Sequence, residues 1–159
     1  MILEEYSKLI NSKEFKNWKN KHKDAYLSSC LLITDEASTG IWGFDFYLPN
    51  INKITTFELD NVINIKKDQE IFEQRKKKLK EINLNNLKFN LNEVNKFIDK
   101  NFNNKKFIKK IIILQYLQTL LWNITLLSLD FNITNVKLDA KNGKLLKQST
   151  ASLLQFKAS

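Results

Sequence analysis

The stretch "LLWNITLLSLDFNITNVKLDAKNGKLL", Leu120 to Leu146, decides how this chain is read. Apolar and polar residues alternate through Trp122, Ile124 and Leu126, the period-two signature of a half-buried strand. Asn132 begins a second alternating run that ends at Leu138-Asp139, and Asn142-Gly143 follows. Asn-Gly between strand residues favours a type I′ hairpin, because both central residues need positive φ.

About eighty residues earlier the chain writes "GIWGFDFYLPNINKITTFELDN", Gly40 to Asn61. Trp42 and Trp122 each open a strand, and each is followed by an Asn-containing turn and a strand ending in Leu-Asp. The spacing predicts a duplication, the kind of repeat that must be sought before any fold is assigned. Helical periodicity precedes both copies. Ile2, Leu3, Tyr6, Leu9 and Ile10 share one face, which Phe15, Trp18 and His22 continue, with Ser12 placed to cap a second segment. Asn90 and Glu93 form a capping-box pattern ahead of Val94, Phe97 and Ile98. Strands are expected at "YLSSCLLIT", "IWGFDFYL", "KITTFEL" and "NVINI", then at "KFIKKIIILQYLQ", "TLLWNITLLSL", "ITNVKLDA" and "KLLKQSTASLLQF". The expected fold class is α+β. It has two repeated modules, each one helix followed by three to four antiparallel strands, with helices 2–22 and 91–103 packed on separate twisted sheets. Residues 1–66 and 89–159 would form the modules, and residues 67–88 a basic connector.

Residues Leu120–Leu146 resemble the strand-strand-hairpin end of PepSY-like domains at Trp122, Leu138, Asp139, Ala140, Gly143 and Leu145. The helix at 91–103 and strand at 107–117 complete one such module, and residues 12–66 resemble it more weakly. The whole chain is similar to small uncharacterised prokaryotic proteins with a tandem PepSY-like, broadly cystatin-like plan. The resemblance implies binding and regulation of peptidases, usually outside the cytoplasm. The Gln-Val-Gly inhibitory loop of cystatins has no counterpart, since "LQYLQTLLW" holds Gln115 and Gln118 but no Gly.

Composition narrows the function classes. With 159 residues, 43% hydrophobic and 11% aromatic, the chain has ample material for a core. "MILEEYSKLINSKEFK" has acids where an export signal needs a basic segment, so a cytoplasmic protein is expected. The net charge of +9 concentrates in residues 66–110, which hold thirteen lysines and Arg75 against six carboxylates. Arg75, Lys76, Lys77, Lys78 and Lys80 are the candidate anion- or partner-binding residues, able to attract phosphate or an acidic surface. The bland alternative is a solvated connector paired with Glu70, Glu73 and Glu81.

Catalytic and metal signatures are missing from the sequence. Cys30 sits in an apolar run as a buried thiol would, and His22 is the lone histidine, too few ligands for zinc. Only three glycines occur, none in a phosphate loop or nucleophile elbow. Asp45 falls mid-strand on the face opposite Trp42, Phe44, Phe46 and Leu48, where solvent exposure is the plain expectation. The expected function is therefore a non-enzymatic protein- or peptide-binding module without cofactor or membrane role. Binding would run through a sheet edge or a groove between repeats. The alternative is weak, sequence-independent nucleic-acid binding through the basic connector.

Overall fold

A computed structural model describes residues 2–70 and 78–154. The order is α1 (Ile2–Asn11), α2 (Lys13–Lys21), β1 (Tyr26–Asp35), β2 (Ser38–Leu48), β3 (Lys53–Leu59), β4 (Ile63–Gln69), a short 3-10 turn (Leu84–Asn86), α3 (Leu91–Asn101), β5 (Phe107–Tyr116), β6 (Leu120–Ser128), β7 (Asn132–Asp139) and β8 (Leu145–Ser152).

This corrects the expected fold class. All eight strands belong to one sheet, ordered β4-β3-β2-β1-β5-β6-β7-β8, instead of two sheets in two repeated helix-plus-strand modules. Among the described residues the α-helices are three and unequally shared, because Ser12 breaks the N-terminal run. Its hydroxyl accepts from Phe15 N–H and caps α2, as the sequence suggested. What recurs is local. Trp42 lies opposite Leu59 and Trp122 opposite Leu138, so both hairpins place Trp across from the Leu of Leu-Asp. Period-two alternation specifies a hairpin and its faces, but not which strand edges meet afterwards.

The chain divides into two compact units: Met1–Leu31 with Ile41–Asn86, and Leu32–Gly40 with Leu87–Ser159. In the first, an aromatic cluster joins α2 to the sheet. Phe15 and Trp18 contact Phe46 and Phe57 at centroid separations of 5.0–5.6 Å, and Tyr6 of α1 meets Phe44 at 5.5 Å. Such tilted and edge-on pairs add about 0.5–1.5 kcal/mol each beyond area burial. The segment expected to be a connector contributes too. Ile82 and Leu84 are buried, and Ile82 N–H donates to Leu27 O at 2.8 Å.

In the second unit, Trp122, Ile124, Leu126, Val136 and Leu138 form the apolar face, together with Ile112 and Leu114. Leu91, Val94 and Ile98 of α3 are buried, and the Asn90–Glu93 capping box is complete. The turn between β7 and β8 departs from the expected type I′ hairpin. Five residues separate the strands, and only Gly143 among them takes positive φ, at 74°. The carboxylate of Asp139 and the amide oxygen of Asn142 accept from Lys141 and Lys144 N–H, so side chains close the turn.

A methyl group at Gly143 would overlap the Phe89 ring as well as face the positive φ. Gly143→Ala is therefore expected to lower unfolding free energy by roughly 1–3 kcal/mol. Urea titration followed by tryptophan fluorescence measures it.

Candidate functional site

Among the described residues, three places could engage another molecule. The first is a cleft of about 670 Å³ lined by Leu3, Tyr6 and Ile10 of α1 and by Glu81, Asn83 and Asn85. Burial, then the neighbouring Cys30 and Glu81, raise the Tyr6 phenol above its ordinary range, so it stays a proton donor. His22, Asp45 and Tyr47 do not line this cleft. The His22 ring packs on Trp18 at 5.0 Å, and the Tyr47 hydroxyl donates to Asn52 Oδ1 at 2.6 Å.

The second is Asp45. Instead of facing open solvent it is half-buried, accepting from Ser29 Oγ and Thr56 Oγ1 at 2.6 Å each. Thr56 also lies 3.0 Å from Gln69 Oε1. Two hydroxyls on neighbouring strands satisfy the carboxylate, which makes it a clasp across β1, β2 and β3. Sequence reasoning missed it, because Ser29 and Thr56 become its neighbours only through strand register.

The third is the edge of the sheet at β8. All but the last of its eight residues are exposed. Among the described residues, no other segment hydrogen-bonds to its backbone besides β7. Every second residue of an edge strand directs its N–H and C=O outward, a template for another strand. The opposite edge, β4, is defended. It carries a bulge between Ile54 and Thr56 in its pairing with β3, Asp68 at φ 53°, and Lys66 paired to Glu58 at 2.5 Å. Apolar side chains bracket β8: Leu145 and Leu146 at its start are 45% and 43% exposed, and Phe131 and Leu154 at its end 51% and 56%. Leu153 N–H donates to Phe131 O, which holds Phe131 beside the strand end at φ 59°. Positive φ is uncommon for a bulky residue, so the turn keeps this exposed ring at a conformational cost.

Of the candidate basic residues, Arg75, Lys76 and Lys77 lie outside the described residues. Lys78 and Lys80 are exposed on a segment that is neither helix nor strand. No group of three or more His, Cys, Asp or Glu able to hold a metal occurs among the described residues. No helix among them is long and apolar enough to cross a membrane.

No family model matches the chain, and no curated protein matches it. Among solved structures it is similar to the crystal structure of a putative lipoprotein from Clostridium difficile 630. The identity is 17% and the TM-score 0.55, over 87% of this chain and 90% of that one. At that identity the likeness concerns the fold alone.

Burial pushes the Cys30 thiol far up, with Asp45 adding to the effect, and burial also raises Tyr6 and Tyr26. Groups with raised native pKa bind more protons folded than unfolded in alkali, so ν_U falls below ν_N there and stability declines as pH rises. Stability should be level near pH 7 and fall from about pH 8.5, where an unfolded thiol ionises, through about pH 10 for the phenols. Urea titrations across this range check the sign, and Cys30→Ala should remove the earlier part of the decline.

Proposed function

We propose that this protein is a non-enzymatic binding module that takes an extended protein or peptide segment as an added strand along β8. The observation that carries the reading is the contrast between the two sheet edges. β4 is bulged within the strand and ion-paired, whereas β8, irregular only at its start beside Leu146, runs in regular register from Lys147 to Ser152 with exposed apolar side chains at both ends. In strand addition, main-chain hydrogen bonds supply affinity and alternate side chains supply selectivity. The likeness of residues 120–146 to PepSY-like domains, which work by binding, supports the same reading.

The test is selection of octapeptides from a random library, with hydrogen exchange used to locate the contact. Selected peptides should protect amides within Leu145–Ser152. Proline placed separately at Ser149 and at Thr150 probes both backbone directions, because one of these neighbours turns its N–H outward. The proline at that position should abolish binding while the β7 ladder persists. Binders that leave β8 unprotected, or that tolerate both prolines, would sink the reading.

Phe131→Asn separates binding from folding, since Asn tolerates positive φ. Stability should hold or rise by up to about 1 kcal/mol. Affinity for the selected peptides should drop several-fold, as measured by fluorescence anisotropy.

A further inference from the structure

The charge pattern beside β8 names the chemistry of the segment it takes. Lys137 of β7 and Lys147 of β8 are register partners. Both lie on the face away from the core, because the adjacent Val136 and Leu138 are buried on the other side. Like charges directly opposite each other destabilise a sheet, and no ion pair among the described residues neutralises these two. The Lys137 ammonium donates to Asn135 Oδ1 at 3.2 Å. The Asn135 amide in turn donates to Asn123 Oδ1 at 2.8 Å and approaches Ile124 O and Thr125 Oγ1 at 3.2 Å. These partners are neutral. Asp139, two residues beyond Lys137, turns its carboxylate to Lys141 N–H at 2.7 Å. Among the described residues neither lysine has a carboxylate within ion-pairing distance. By sequence, Leu87 to Ser159 carries twelve lysines against four carboxylates, a net positive background for the pair.

Resting on the strand-addition reading, we propose that the segment received by β8 is acidic. It would place a carboxylate beside Lys147 and apolar residues at its two ends. A residue on the added strand opposite Lys147 stands about 4.5–5.5 Å from it between Cβ atoms. A glutamate there meets Lys147 directly and reaches toward Lys137 across one strand, turning a repulsive pair into a three-membered charge row. The apolar ends meet Leu145 and Leu146 on one side and Phe131 and Leu154 on the other, the exposed side chains that bracket the strand. A second copy of this chain is the poorer occupant. Two β8 strands side by side would bring four lysines onto one face.

The experiment uses the full chain and three synthetic extended peptides with identical apolar ends, differing only in central Glu, Gln or Lys at alternate positions. Fluorescence anisotropy at low salt should give the Glu peptide roughly five- to tenfold tighter binding than the Gln peptide, with Lys weakest. The gap should narrow as salt rises toward 0.5 M. Lys147→Gln should erase the preference, and Lys147→Glu should invert it in favour of the Lys peptide. Equal affinity for the three peptides overturns the acidic assignment. If the Ser149 and Thr150 prolines still separate binder from non-binder in that case, the edge reading survives alone; if they do not, both fall. Displacement of the Glu peptide by a DNA duplex that binds both proline variants unimpaired would assign the lysines to a polyanion and overturn the proposal.

Discussion

Trp122 ties together the parts of the C-terminal unit that set the position of β8. Its ring is fully buried in β6, between Leu114 of β5 and Leu138 of β7 in the register. The indole N–H donates to Phe89 O at 2.8 Å, and Phe89 N–H donates to Ala140 O at 3.0 Å. The Phe89 ring then fills the space over Gly143. One buried aromatic therefore fixes the residue that precedes the N-cap of α3 and, through it, the turn that launches β8. A hydrogen bond to a largely buried group adds about 1 kcal/mol when made and costs more when its partner is stranded. The edge strand depends on that pin for its direction, because among the described residues only β7 pairs with it.

The N-terminal unit reaches the same end by a different route. Its cohesion comes from aromatic packing of α2 on β2 and β3, and on the opposite face from hydroxyls gathered by Asp45. Tyr26 adds a tether, its hydroxyl donating to Leu79 O at 2.5 Å, while Ile82 is held to Leu27. The segment is thus anchored at Leu79 and Ile82, and Lys78 and Lys80 remain exposed on either side of half-buried Leu79. Cys30 lies fully inside, its thiol kept protonated by the absence of water.

The two edges of the sheet show how a fold separates self-protection from availability. Sheets protect their edges with bulges, charges and twists, because an open edge invites association. β4 carries a bulge and an ion pair within the strand. β8 is irregular only at its start and has one lysine, which stands against another of the same sign. A strand left open, with an unbalanced charge on it and apolar anchors at both ends, is consistent with reserved binding capacity.

Much of this was legible in the sequence and some was not, for physical reasons. Alternation gave the strands and their faces: Phe44 and Phe46 lie against the helices with Trp42 stacked on Phe44, and Cys30 is buried as its apolar neighbours implied. Capping chemistry located α2 and α3, since Ser12 and the Asn90–Glu93 box act within four residues. The turn at Asn142-Gly143 was placed correctly but its type was not, because the conformation depends on Phe89, 54 residues earlier. Register decided the clasp around Asp45 and the opposition of Lys137 and Lys147. The joining of all strands into one sheet, in place of two modules, was equally out of reach. Side-chain period and caps are properties of adjacent residues, so the sequence by itself determined them; which edge meets which strand, and which is left open, is settled by hydrogen bonds between distant segments, and only the tertiary structure decided that.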